Sequence, residues 1–548
     1  MSSSILRVFY LLLGGAILAI GGCTSEGQIE SPLTRPNILL IVADDLGFTD
    51  LGAFGGEMAT DNLDTLARAG TRLTNFHTAP SCAPTRAMLL TGMDNHQAGM
   101  GSQSGLETPL QAQTPEYQNR LSPEVPTIAE QLSALGYRTL ASAKWHLGAE
   151  PETRPGARGF DRSFVLMEGG GGHFDDTPLL KRYDRAHWFE DDKPFVVPEV
   201  FYSTDFMTDK VLRYIGETPA DQPFFAYLGF TAPHWPLQAP EADIKKQSGN
   251  YDAGWDVLRE QRMTGAQREG VVEKDAVAVS SEPGTKPWNS LDEDAQKFAS
   301  RKMEIYAAMI ERVDTNVGRV LEQLAQSGQL DNTLIVFISD NGVEAHPMEL
   351  YPQSVQWVAD NFDNSLENIG AGDSYTSLGP SWARASAAPF RDSKSKIAEG
   401  GIRVPAFVSL PKALQDVSNA DEIDKSYMRV MDLAPTFIEL AGGEPPSGME
   451  GRSLLSRWQG GASPYGENEL IASETYGRRA VQRGPWKALL QGPPYGTGEW
   501  QLYNLQADPG EQNDVAEAHG PLLAELVEGW EAYAERVGVL LPETPILY

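Results

Sequence analysis

Cysteine is almost absent. Two thiols in 548 residues, Cys23 and Cys82, argue against a disulfide framework and against a cysteine-built zinc module. Positive charge is scarce as well: 44 Lys and Arg stand against 75 Asp and Glu, a formal net charge of −31. Phosphate repels such a surface, which excludes nucleic acid as a partner. The same surplus leaves carboxylates to spare for a hard cation. Histidine is sparse too; the eight present show no zinc-like spacing, and no internal repeat is visible. What remains is ordinary for a globular protein. A hydrophobic fraction of 41 % supplies a sizeable core, and the length suits a large α/β body with an appendage.

The N-terminus reads as a targeting segment. Arg7 precedes the apolar run "VFYLLLGGAILAIGGC", which is too short and too glycine-rich for a membrane span. Its end, "IGGC" at 20–23, resembles a bacterial lipobox. That resemblance implies a signal peptide over 1–22, a lipidated Cys23, and an exported lipoprotein of the periplasm or outer-membrane surface. Thr24 is not the Asp of inner-membrane retention, and 23–35 is a polar tether. With Cys23 lipidated, Cys82 has no intramolecular partner. It remains a core thiol, a thiolate nucleophile or the precursor of a modified residue.

Four apolar strands each end in a polar cluster. "NILLIVADDLG" ends in Asp44 and Asp45, "YRTLASAKWHLG" in Lys144 and His146, "PFFAYLGFTAPHWP" in His234, and "NTLIVFISDNG" in Asp340 and Asn341. Near-continuous apolar runs are buried parallel strands, and ligands gather at their carboxyl ends. Between them lie helical patterns. Ile128, Leu132 and Leu135 follow Thr127 as N-cap and precede Gly136 as stop; Ile305, Met309, Val313, Val317, Val320 and Leu324 share one face. The alternation predicts a doubly wound α/β domain. Residues 241–300 and 343–390 read as irregular insertions that wall the site. Past about 440, "GPWKALLQ" and "EWQLYNLQADPGEQNDVA" predict a small antiparallel sheet with a closing helix, giving a catalytic domain over 36–440 and a C-terminal subdomain over 441–548.

The chemistry follows from the donor types. Asp44, Asp45, Asp340 and Asn341 offer only oxygen, which suits Ca2+ or Mg2+ over Zn2+. Pro84 places Cys82 at a helix N-terminus, where backbone N–H groups favour negative charge, and Arg86 points back towards it. Both features lower the pKa of a bare thiol. Arg86, Lys144, His146, His234 and a lysine of "RDSKSKIAEGG" form a pocket for a tetrahedral anion.

These stretches carry a family likeness. C-x-P-x-R followed by "AMLLTG" resembles the sulfatase motif whose cysteine is oxidised to formylglycine, and "GYRTLASAKWHLG" resembles the second sulfatase motif, with Ala143 in place of its usual glycine. "ADDLG", "APHWP", "SDNG", "EGGIRVP" and "LYNLQADPGEQND" follow in the family's order, and the whole is most similar to bacterial arylsulfatases. The resemblance implies an alkaline-phosphatase-like fold, with a large mixed sheet flanked by helices and a C-terminal α+β subdomain. It implies one Ca2+ per chain on Asp44, Asp45, Asp340 and Asn341, and a partner machinery that makes formylglycine from Cys82. The hydrated aldehyde attacks sulfur through one hydroxyl and expels sulfate through the other. Arg86 stabilises the alkoxide, His234 protonates the leaving oxygen, and His146 takes the second hydroxyl's proton. Lys144 and Lys394 hold the sulfate; Lys396 is the alternate, read as a solvated neighbour. The implied substrate is a small-molecule or carbohydrate sulfate ester, with a phosphodiesterase or phosphonate monoester hydrolase on the same fold as the alternative. His77, His96, His173 and His346 read as surface or core histidines rather than pocket residues.

Overall fold

The computed structural model describes residues 35–279, 282–347, 352–415, 421–543 and 546. Cys23 and the segment expected to be a signal peptide and tether lie outside them, save Arg35. Among the described residues no helix is long and apolar enough to cross a membrane.

The first strand, Asn37–Ala43, is the axis of the molecule. It pairs in parallel with Phe224–Gly229 on one side and Thr333–Ser339 on the other, inside a ten-stranded sheet. Arg138–Lys144 and Arg162–Leu166 extend the parallel run, and Ala406–Ser409 pairs antiparallel with Thr333–Ser339, so the sheet is mixed. All seven residues of the first strand are buried because both faces are covered. Its side chains alternate between two cores. Leu39 and Ile41 join the layer under the long helix, while Ile38, Leu40 and Val42 join the layer under Ile128, Leu132 and Phe437.

The helical patterns read from the sequence are present. Thr127 caps Ile128–Ala134 in a reciprocal capping box with Glu130, and Gly136 takes the left-handed φ of +86° that ends it. The six apolar positions from Ile305 to Leu324 are all buried on Glu293–Gln326. That helix begins inside the stretch expected to be irregular. Residues 241–300 also hold helices Glu241–Lys246 and Gly254–Glu269. The second has weak periodicity because Arg262 is itself buried, its guanidinium spent on Asp50, Glu57 and Ser386.

The C-terminal sheet runs Ile471–Thr475, Arg478–Arg483, Trp486–Leu490, Gln501–Asn504. One face receives Leu526, Trp530 and Val537 of helix Gly520–Val537; the other sets Ala480, Leu489 and Tyr503 on Ile397 and Ala398. Leu454 and Trp458, between 440 and this sheet, pack into the main core.

Candidate active site

Strand ends build the site. Beyond Ala43, the Asp44 amide donates to the Ala232 carbonyl and the Asp340 amide donates to the Ala43 carbonyl, at 3.1 and 3.0 Å. Asp45 turns out of the strand at φ +69°, and its amide donates to Asp340 Oδ1 at 3.3 Å. Three carboxylates thus converge at one sheet edge, fully buried. Asn341 follows Asp340 and donates through Nδ2 to Asp45 Oδ1 at 2.6 Å.

Helix Cys82–Thr91 brings the thiol to this edge. Ser81 precedes it in extended conformation, and Gly92 ends it at φ +68°. Cys82 Sγ lies 3.5 Å from Asp44 Oδ1 and 3.9 Å from Asp45 Oδ1. Burial, then the charge of Asp340, push the thiol's pKa well up, outweighing Lys144 and Lys394. The acidifying pull expected of the helix end and Arg86 is outweighed by burial. Arg86 hydrogen-bonds elsewhere: its Nε and Nη2 donate to Asp340 Oδ2 at 3.0 and 2.7 Å, and its Nη1 to the Lys144 carbonyl and Tyr227 hydroxyl. As a thiol, residue 82 is a poor nucleophile here.

Two lysines flank the carboxylates. Lys144 Nζ donates to Asp44 Oδ2 at 2.7 Å. Lys394 Nζ donates to Asp45 Oδ2 at 2.9 Å and pairs with Glu344 Oε2 at 3.2 Å. The Lys394 loop is held against the cysteine loop by Ser395 N donating to the Pro80 carbonyl at 2.6 Å. Lys396 does not reach this site. Nor is it solvated, as the sequence reading had it: it is 1 % exposed and donates to His346 Nε2 at 3.0 Å.

Both predicted histidines line the pocket. His234 Nδ1–H donates to the Trp235 carbonyl at 2.5 Å, which leaves Nε2 facing the cluster, 3.6 Å from Asp45 Oδ2. His173 supports it, meeting the His234 carbonyl with Nε2 at 3.0 Å. His146 sits at φ +57° with Nδ1 buried and unpartnered. Burial, then neighbouring cations, hold both rings well below the ordinary imidazole range, so both are neutral. His77, His96, His173 and His346 are buried and do not line this pocket.

The pocket holds about 230 Å3. Cys82, His146, His234 and Lys394 line it, together with Gln103, Glu168, Arg182, Tyr183 and Trp235. The insertions at 241–300 and 343–390, expected to wall it, do not line it, although Glu344 of the second pairs with Lys394. The walls come from 100–104, 119, 146–150, 167–169, 179–183 and 234–235. Sequence reasoning also missed Glu344 and Tyr227. Glu344 lies three residues past Asn341, but no periodicity marks its direction; Tyr227 is hidden inside an apolar strand run.

The donor set fits a hard cation. Burial, then neighbouring carboxylates, push Asp44 up to about 6; burial dominates again in pushing Asp45 up to about 8. Asn341 Oδ1 is buried without a partner. Oxygen ligands crowded in this way suit Ca2+. Ligand atoms of Asp44, Asp45, Cys82 and His234 lie within 4.8 Å of one another, whereas Asp340 is set back on Arg86.

Comparison with known proteins agrees with this geometry. The sequence model of the Sulfatase family matches residues 36–443. An uncharacterized sulfatase of Schizosaccharomyces pombe is 39 % identical over 537 residues, covering 94 % of this chain and 95 % of its own length. An arylsulfatase of Klebsiella aerogenes is 38 % identical over 441 residues, covering 80 % of this chain and 93 % of its own. The crystal structure of Ps i-CgsB superposes with a TM-score of 0.66 at 26 % identity, covering 91 % of this chain and 93 % of the other. The chain belongs to the sulfatase family and is a sulfuric ester hydrolase.

Proposed function

We propose that the protein cleaves sulfate monoesters of the arylsulfatase type with formylglycine made from Cys82 and one calcium ion. The observation that carries this reading is the placement of Cys82 Sγ, 3.5 Å from Asp44 Oδ1, on the lining of a pocket that Lys394 also lines. Oxidised and hydrated, residue 82 supplies a hydroxyl nucleophile for sulfur; Ca2+ held by Asp44, Asp45, Asp340 and Asn341 supplies a Lewis acid. The remaining work falls to side chains. Lys144 and Lys394 hold the sulfate oxygens and balance charge as it builds. His234 presents Nε2 to the leaving oxygen with its ring oriented by the Trp235 carbonyl; in the neutral ring Nε2 holds no proton, so it must take one up there before it serves as general acid. His146, neutral and with Nδ1 free of hydrogen bonds, accepts the proton that restores the aldehyde. Arg86 fixes Asp340 and joins it to the lysine strand.

Charge balance favours a monoanionic ester, as a sulfate monoester is, over a dianionic phosphate monoester. Asp44, Asp45, Asp340 and Glu344 face Arg86, Lys144 and Lys394, an excess of one negative charge. A divalent cation turns that into one positive charge, which a monoanionic sulfate ester neutralises. The rival reading is a phosphodiesterase or phosphonate monoester hydrolase on the same fold. Parallel assays decide between them: an aryl sulfate turning over faster than an aryl phosphonate supports the proposal, and the reverse order overturns it.

A carbohydrate sulfate is the proposed natural substrate. Support comes from the 26 % identical Ps i-CgsB, solved in complex with k-i-k-neocarrahexaose. Maturation of Cys82 calls for a formylglycine-generating partner. The "IGGC" motif supports export as a lipoprotein anchored through Cys23 to the periplasmic or outer-membrane surface.

A further inference from the structure

Between the two pocket histidines the chain carries four consecutive glycines, Gly169 to Gly172, and the reaction above calls on none of them. Gly169 lines the catalytic pocket and packs against the His146 ring. A methyl carbon placed on it would stand 2.6 Å from His146 Cε1, 2.8 Å from Nε2 and 3.1 Å from Nδ1. Carbon atoms in contact keep about 3.5 Å apart, so no larger residue fits without moving the ring. Backbone conformation does not demand glycine here, since Gly169 lies outside the left-handed region. Close approach does.

Both main chains are fixed around this contact. Trp145 N donates to the Leu166 carbonyl at 2.8 Å and His146 N to the Met167 carbonyl at 3.1 Å, so the two chains are joined just ahead of it. Beyond it, Gly172 N donates to the Thr177 carbonyl at 2.8 Å and His173 N to Gln238 Oε1 at 2.8 Å. The ring is held differently. Among the described residues no hydrogen bond reaches either ring nitrogen of His146, whereas the Trp235 carbonyl orients His234. Contact therefore sets the direction of the His146 ring.

We propose that Gly169 is a positioning residue for His146: its bare Cα seats the imidazole where it meets the hydroxyl proton of residue 82. The proposal rests on the formylglycine reading above and adds what aims the base. In that step the proton passes to His146, its O–H electron pair closes the carbonyl, and the carbon–oxygen bond to sulfate breaks with its pair on sulfate. Departure of the alcohol comes earlier and calls on His234 instead. Moving the His146 ring should therefore slow the second half of the reaction alone.

Crystals of Gly169→Ala with Cys82 unconverted test the contact without any turnover. The His146 ring should be displaced by about 1 Å, the difference between 2.6 Å and an ordinary contact. A ring in the parent position would overturn the proposal. In the converted enzyme, a misplacement of that size should lower kcat for an aryl sulfate roughly 10²-fold. Mixed rapidly with the aryl sulfate, the variant should release one aryl alcohol per aldehyde in a burst and then turn over slowly. Unchanged kcat, with or without a raised KM, or slow release with no burst, would mean that Gly169 makes room for substrate or fold and does not aim the base. His146→Ala supplies the background that separates positioning from structure. There Gly169→Ala should change neither kcat nor the melting temperature, because no ring remains to displace. A further loss in the double variant would sink the proposal, and this comparison stands even if Gly169→Ala alone does not fold. An active parent whose residue 82 is an intact cysteine would instead remove the formylglycine reading and leave the ring displacement as it is.

Discussion

Residue 82 is where side-chain chemistry is most exposed to test. Cys82→Ala removes one sulfur from a helix whose other nine residues are buried and retained. Turnover of an aryl sulfate should fall at least about 10⁴-fold, as loss of a nucleophile does. Unfolding free energy should change by only about 1 kcal/mol, the scale of one small buried group. Activity near the parent's would remove residue 82 from the chemistry. Asp340 needs a subtler substitution. Asp340→Ala strands the Arg86 guanidinium, buried at 0 % exposure, and should cost about 3–5 kcal/mol in urea unfolding regardless of any metal. Asp340→Asn keeps an oxygen for Arg86, so bound calcium and turnover should drop together with a smaller loss of stability. Unchanged calcium by elemental analysis would exclude Asp340 as a ligand. Asp44, Asp45, Lys144, His146, His234, Asp340 and Asn341 were legible because each follows or closes an apolar strand, and strand ends of a parallel sheet share an edge. Arg86's direction was not legible, since spacing along a helix gives a face but not which of two acids a guanidinium reaches.

At the scale of elements, the C-terminal sheet is tied to the catalytic body by buried charge. His96 lies between Asp94 Oδ1 at 2.9 Å and Glu474 Oε2 at 2.8 Å, while Asp94 Oδ2 accepts from Tyr533 at 2.9 Å. Burial opposes the imidazolium, but the hydrogen bonds to Asp94 and Glu474 outweigh it and hold the ring up to about 10. A folded pKa above the unfolded one gives stability that is full below about pH 6.5 and lost as pH rises through the folded value. The gap in melting temperature between the parent and His96→Gln should therefore narrow between about pH 6.5 and 10. A gap that widens over that range would show that His96 is neutral in the fold. Element type was readable wherever apolar periodicity ran long, as from Ile305 to Leu324. It was not readable in Gly254–Glu269, whose inward face carries Arg262 instead of a hydrophobe. Nor could sequence say which loops wall the pocket; that depends on which side of the sheet edge each insertion folds over.

For the whole molecule, a cation held by the acids crowded at one sheet edge would make stability depend on it. Exhaustive chelation should abolish turnover and lower the melting temperature, because a metal bound to the folded form alone stabilises it by mass action. Ca2+ should restore both. A melting temperature indifferent to chelator and to Ca2+ would contradict the cation site. The architecture itself was legible from the alternation of apolar strands and helices, while the packing of Leu454 and Trp458 into the main core was not, because no composition change marks that segment. The account stands on conversion of one thiol, and tryptic digestion isolates it on residues 73–86. Mass spectrometry of that peptide from active protein should find an aldehyde or its hydrate in place of the thiol. An intact cysteine in fully active protein would contradict the account.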